Sequence, residues 1–142
     1  MFQGTSLLSL DAKGRITIPV RHRDALALQC KGQVTLTLHP DGCLLLLPRP
    51  VWETLKEKIK GLPLTATKWR RLFMGNAQDV DMDSNGRVLI SPDLRQTARL
   101  VSDVKLVGMG SHFEIWDAAQ HAENETETMA EGMPEILGEL IF

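Results

Sequence analysis

A stretch of twelve residues occurs twice in this chain, 72 positions apart. Leu8-Ser-Leu-Asp-Ala-Lys-Gly-Arg-Ile-Thr-Ile-Pro19 returns as Val80-Asp-Met-Asp-Ser-Asn-Gly-Arg-Val-Leu-Ile-Ser91. Asp11, Gly14, Arg15 and Ile18 recur as Asp83, Gly86, Arg87 and Ile90, and apolar Leu8, Leu10 and Ile16 are matched by Val80, Met82 and Val88. A match with fixed spacing marks an internal duplication. A unit of about 50 residues with a few short strands has too little core to stand alone. The two copies are therefore expected to share one core as a pseudo-dimer, with both copies of the repeated turn in related orientations.

Local patterning gives the same element order in each half. Leu8 and Leu10 alternate with Ser9, and Ile16 and Ile18 with Thr17, a period of two that reads as strand. Between them, Asp11-Ala-Lys-Gly14 carries Asp first and Gly fourth, the chemistry of a tight hairpin or a compact reversing loop. Pro19 ends the strand and opens a short helix over 20–28, with Leu26 and Leu28 as its apolar positions. Strands follow at 34–38 and 43–47 around the turn His39-Pro-Asp-Gly42. The second of these has no polar position, so both its faces are covered, by the chain itself or by a partner. Residues 51–59 and 65–74 read as amphipathic helices, and Trp52 and Trp69 as packing residues. The second half then repeats the order. Strands fall at 77–82 and 87–90, Ser91-Pro92-Asp93 starts a helix over 94–100, and Arg95 aligns with Arg23 and Leu100 with Leu28. A hairpin of 104–107 and 113–116 leads to a helix capped by Asp117 and running to about residue 130. The tail mixes Ile136, Leu137, Leu140, Ile141 and Phe142 with Glu135 and Glu139. The resulting domain reading is a first repeat over 1–60, a helical connector over 61–76, a second repeat over 77–130 and a tail over 131–142.

Charge divides the halves. Residues 1–74 hold 12 Lys/Arg and 5 Asp/Glu, and residues 75–142 hold 4 and 13, so a net charge of −2 conceals a basic half and an acidic one. Such polarity suits one face for an anionic partner and a separate acidic end. No apolar run approaches the roughly 20 residues of a membrane span. Lys13 and Arg15 follow the first apolar patch instead of preceding it, unlike a signal peptide. Cys30 and Cys43 show no CxxC spacing and are expected to be buried thiols in a reducing compartment.

The repeated turn carries the most specific chemistry. Asp11 can accept backbone N–H groups within the turn and pair with Arg15, fixing the guanidinium fork for bidentate contact with a phosphate or with guanine O6 and N7. Lys13 adds a point charge. The same residues could also do no more than staple the loop. Asp81-Met-Asp-Ser-Asn-Gly86 imitates the start of a calcium loop, but Pro92 stands where the bidentate Glu belongs and the flanks are strands. His22, His39, His112 and His121 lie at no metal-ligand spacing, so the sequence assigns no metal and no cofactor. No nucleophile motif is present, and Gly108-Met-Gly110 lacks the third glycine of a dinucleotide fingerprint. An enzyme reading would need a pocket lined by His39, His112 and a carboxylate.

Phe2-x-Gly4, Leu10-Asp-x-Lys-Gly-Arg15-x-x-x-Pro19, Arg70-Arg-x-Phe73-x-Gly75 and the second Asp83-x-x-Gly-Arg87 together resemble the MraZ proteins, bacterial transcriptional regulators. The resemblance extends to about residue 130. It implies an α+β fold of two tandem AbrB/SpoVT-like swapped-hairpin repeats forming a pseudo-two-fold unit, with intervening and C-terminal helices. It implies a homo-oligomeric ring, octamer or dodecamer, in the cytoplasm on the nucleoid. The partner implied is double-stranded promoter DNA with short direct repeats, upstream of the division and cell-wall gene cluster. On this reading Lys13, Arg15, Arg21, Arg23 and Arg87 contact DNA, while Asp11, Gly14, Asp83 and Gly86 orient the loops. The second copy has Asn85 where the first has Lys13, and Asp79, Asp81 and Asp93 surround Arg87. The first turn is therefore expected to carry most of the DNA contact and the second mainly to complete the fold. The alternative class is a non-DNA interaction protein, antitoxin-like or an assembly scaffold, which the mildly acidic pI of about 6.1 keeps open.

Overall fold

Alternation dictates strands here, but pairing exchanges them between the halves. The computed structural model describes residues 1–141. The strands are β1 (Thr5–Ser9), β2 (Arg15–Thr17), β3 (Gln33–Leu38), β4 (Leu44–Pro48), β5 (Gln78–Asp81), β6 (Arg87–Leu89), β7 (Asp103–Gly108) and β8 (Phe113–Asp117). The helices are α1 (Val20–Cys30), α2 (Arg49–Lys60), α3 (Thr67–Gly75), α4 (Pro92–Thr97), α5 (Ala118–Glu131) and α6 (Glu135–Ile141), with a 3₁₀ turn at Leu64–Ala66. One six-stranded sheet runs β1-β7-β8-β4-β3-β5, and a two-stranded ribbon pairs β2 with β6. β1 of the first half pairs antiparallel with β7 of the second, and β5 of the second with β3 of the first. At the centre of the sheet the halves also meet through the antiparallel pair β4–β8. This is the mixed α+β, tandem-repeat architecture the sequence implies.

The repeated turns are reversing loops, not hairpins: β1 and β2 never pair with each other. Each turn lifts the chain from the sheet into the ribbon. A ribbon of three residue pairs has no independent stability. It is held because its inner face, Ile16 and Val88, continues into Ile18 and Ile90, all four fully buried. Each such side chain contributes about 1.5–3 kcal/mol on leaving water. They join Leu44, Leu46, Phe113 and Ile115 in the main core.

The opposite face of the sheet carries a second cluster, in which Leu45 and Leu47 pack on Trp52 and Ile59 of α2. β4 is thus covered on both faces by its own chain. Pro50 in the first turn of α2 and Pro92 in that of α4 occupy positions where the missing N–H costs nothing. Ser91 caps α4 by accepting the Leu94 N–H at 3.3 Å, and Asp117 caps α5 by accepting that of Gln120 at 3.2 Å.

Three expectations need correction. α4 ends at Thr97, not at residue 100, because Arg99 turns left-handed (φ 54°), whereas α1 continues to Cys30 before Lys31 does the same (φ 56°). Leu28 and Leu100 are consequently not equivalent: Leu28 is exposed and Leu100 buried, and the inward positions of α1 are His22, Leu26 and Cys30. Trp69 is half exposed on α3, stacked loosely on Phe73 with ring centroids 6.3 Å apart, so it is no core residue. In the tail, Ile136, Leu140 and Ile141 are exposed on α6, and the apolar position expected at Phe142 lies outside the described residues. Both cysteines are buried free thiols. Among the described residues no helix is long and apolar enough to cross a membrane.

Candidate nucleic-acid interface

The two turns have one geometry. Asp11 Oδ1 accepts the backbone N–H groups of Lys13 and Arg15, both at 2.9 Å, and Oδ2 accepts Arg15 Nε at 2.7 Å. Asp83 Oδ1 accepts those of Asn85 at 2.9 Å and Arg87 at 2.8 Å, and Oδ2 accepts Arg87 Nε at 2.7 Å. Gly14 and Gly86 close the turns at φ 83° and 75°. Pairing through Nε does not consume the edge formed by the two terminal nitrogens. That edge is what meets a phosphate or guanine in a bidentate contact.

The ribbon register sets the arginines together. Arg15 lies opposite Leu89 and Thr17 opposite Arg87, with Ile16 and Val88 between them pointing inward. Arg15, Thr17, Arg87 and Leu89 therefore share the outer face. The asymmetry expected from charge is not an asymmetry of geometry, because Arg87 lies diagonally across the same face from Arg15 and is held by Asp83 as Arg15 is by Asp11. What distinguishes the loops is their tips, Lys13 in one and Asn85 in the other.

Arg23 and Arg95 form a second pseudo-symmetric pair. Arg23 Nε donates to the Ile18 carbonyl at 2.6 Å, and Arg95 Nε to that of Ile90 at 3.0 Å. Each guanidinium then lies over the glycine of the other repeat's turn. A Cβ on Gly86 would fall 2.3 Å from Arg23 Nε, and one on Gly14 2.6 Å from Arg95 Cζ. The backbone crosses over likewise, with Ile18 N–H donating to Gly86 O at 2.8 Å and Ile90 N–H to Gly14 O at 2.9 Å. Each loop is thus seated by the opposite half. Arg95 was not among the sequence candidates, although its offset of 72 from Arg23 was the available signal. Arg21 is exposed and donates through Nη2 to Ser6 Oγ at 2.7 Å.

Replacing Gly86 by alanine should cost about 1–2 kcal/mol from the left-handed backbone alone, and more because Arg23 must leave its seat. Gly42→Ala is the control, since Gly42 has φ 92° and open space around it. Urea unfolding should show Gly86→Ala losing roughly 1.5–3 kcal/mol more than Gly42→Ala, the worth of one charged hydrogen bond. Equal losses would mean that the arginine seat contributes nothing.

The turn carboxylates are more acidic than an ordinary aspartate. Asp11 is lowered from 3.8 to about 2, chiefly by the Arg15 backbone N–H, with the Arg15 side chain and the Lys13 N–H adding and partial desolvation opposing. Asp83 is lowered for the corresponding reasons. Since the folded value lies below the unfolded one, the stabilisation is complete above about pH 4 and is lost as pH falls through about 2. Carboxyl NMR titration should give Asp11 a midpoint near 2. Arg15→Ala should raise it part of the way, because the largest cause, a backbone N–H, survives the substitution.

On the far side of the sheet, an apolar groove of about 590 Å³ is lined by Leu45, Leu47, Val51 and Leu55, with His39, Ser111 and His112 at one end. Glu114 lies 3.9 Å from His39 Nε2 and Cys43 is its neighbour in the same cluster. An enzyme reading of the sequence needs a pocket of His39, His112 and a carboxylate; the groove brings His39 and His112 together with Glu114 beside them, while the place of Cys43 in the cluster has no signal in the sequence.

A family model described as "MraZ protein, putative antitoxin-like" matches residues 1–73 and again 72–135. Proteins named "Transcriptional regulator MraZ" from Herminiimonas arsenicoxydans, Janthinobacterium sp. (strain Marseille) and Cupriavidus taiwanensis are 61%, 60% and 61% identical to this chain, in each case over the whole of both chains.

Proposed function

The chain belongs to the MraZ family, and from that premise we propose that it is a transcriptional regulator that binds double-stranded DNA through the outer face of the β2–β6 ribbon. The observation that carries this reading is the pair of Asp-held arginines, Arg15 and Arg87, set diagonally across the outer face of a two-stranded ribbon. Such a ribbon fits a B-DNA major groove, and an arginine fork reads guanine there. Lys13 and Arg21, both exposed, supply phosphate contacts. Arg23 flanks them while seating the second loop. The first loop contributes more than the second, because Lys13 has no counterpart at Asn85.

One chain offers few cations, so useful affinity calls for several copies engaging successive direct repeats. The reading therefore includes a homo-oligomeric ring of eight or twelve chains. It acts in the cytoplasm on the nucleoid, as a repressor of the division and cell-wall gene cluster. The test is an electrophoretic shift with the DNA upstream of its own gene beside random DNA of equal length, at moderate salt. Retardation of the upstream fragment while random DNA stays free supports the reading. Equal retardation of both, or of neither, overturns it. Native mass on the same sample counts the chains.

A further inference from the structure

We propose that His39, Cys43 and Glu114 form a binding site for a divalent cation of the zinc type. The site lies on the face of the sheet opposite the DNA ribbon and spans the seam between the two repeats. One ligand atom from each of the three lies within 4.8 Å of the others. Imidazole nitrogen, thiolate and carboxylate are the donor set zinc takes. Its bond lengths require ligand atoms about 3.3–3.8 Å apart in a tetrahedron, so closure by roughly 1 Å completes the site.

The backbone brings these residues together from both halves. His39 and Cys43 brace the end of the β3–β4 hairpin, where His39 N–H donates to Cys43 O at 2.9 Å. Glu114 comes from β8, opposite Leu45 in register. Alternation puts Cys43, Leu45 and Glu114 on the face covered by α2. The Glu114 carboxylate is already oriented. Trp116 Nε1 donates to Glu114 Oε1 at 2.9 Å, leaving Oε2 for a cation.

His39 Nδ1 accepts the Asp41 backbone N–H at 3.0 Å, so the neutral ring carries its proton on Nε2, facing Glu114. Ligation through Nε2 moves that proton to Nδ1, which then releases the Asp41 backbone N–H, and a small shift of the turn brings the Asp41 carboxylate, 3.7 Å from Nδ1, into place as its acceptor. This is the carboxylate–histidine–metal arrangement of supported sites. Cys43 gives up its thiol proton to solvent as the metal–sulfur bond forms. One thiolate and one carboxylate then balance the two charges of the dication, so the occupied site is neutral. The cation enters by the groove that His39 and His112 line, and a fourth position remains on that side for water. Bound there, it clips the first repeat's hairpin to the second repeat's β8.

The test titrates the full chain, stripped with chelator, with zinc by calorimetry and with cobalt(II) by absorption spectroscopy. The expected result is one ion per chain and a thiolate-to-cobalt charge-transfer band. Cys43→Ser should abolish the band, and Glu114→Gln should weaken zinc at least about tenfold while leaving the metal-free melting temperature unchanged. Cys30→Ser, the other buried thiol, should alter neither. Glu114→Gln, which retains the oxygen that Trp116 engages, keeps the test valid should Cys43→Ser fail to fold. Absence of binding by the unaltered chain, or zinc affinity unchanged in Glu114→Gln, overturns the proposal. So does a band that survives Cys43→Ser.

Discussion

Arg15→Ala is expected to lower affinity for the upstream DNA by at least tenfold, and Arg87→Ala by less, with melting temperature and native mass unchanged in both. A bidentate arginine–guanine contact is worth about 1–3 kcal/mol, or roughly 5- to 150-fold. Several engaged chains multiply that loss. The ion pair itself contributes little to folding, since Arg15 and Asp11 are partly exposed at 24% and 36% of their side chains. Affinity therefore falls without the fold falling. The loss should be larger on the upstream fragment than on random DNA, because a base contact carries sequence information and a phosphate contact does not. Equal losses from the two substitutions would remove the proposed difference between the loops. Unchanged binding in Arg15→Ala would remove the loop from the interface.

The largest effect on stability is expected at Phe113. It is fully buried in β8, with Phe2 at 4.4 Å and His22 at 4.9 Å between ring centroids. Those three residues join the N-terminal segment, α1 and the second half. Phe113→Ala should cost about 3–5 kcal/mol, a large share of an ordinary domain's stability, and lower the melting temperature by roughly ten degrees or more. Trp69→Ala removes a larger ring and should cost far less, because that ring is half exposed. Thermal unfolding of the two variants side by side makes the comparison, and a Trp69→Ala loss as large as that of Phe113→Ala would contradict it. The same burial acts on His22, whose pKa is lowered chiefly by desolvation and secondarily by Arg21.

The interior of each turn was legible in the residues. Asp at the first position, Gly at the fourth and Arg at the fifth leave few ways to satisfy the backbone, and the bonds of Asp11 and Asp83 follow that logic. Which strands pair was not legible from alternation, because period two reveals a strand's faces but not its neighbour. The exchange of β1 and β5 between halves was available through the family resemblance alone. Leu28 and Leu100 misled for a local reason: the left-handed residue falls at Lys31 in one copy and Arg99 in the other, and a helix shortened by that turn no longer aligns position by position. Arg95 was in view as the partner of Arg23, yet its seat over Gly14 is a tertiary contact. His39, Cys43 and Glu114 are separated by up to 75 positions and carry no spacing rule. The β3–β4 turn sets His39 beside Cys43, and the β4–β8 pairing brings Glu114 to them.

The claim that the arginine ribbon reads guanine in the major groove is tested most directly by methylation interference. The upstream fragment is methylated sparsely at guanine N7, bound, and the bound and free pools are compared. The account predicts that methylation within the direct repeats excludes molecules from the bound pool of the unaltered protein. It also predicts that Arg15→Ala, Arg87→Ala together remove this bias along with specific binding. Equal methylation of both pools with the unaltered protein would contradict it, as would specific binding that survives loss of both arginines.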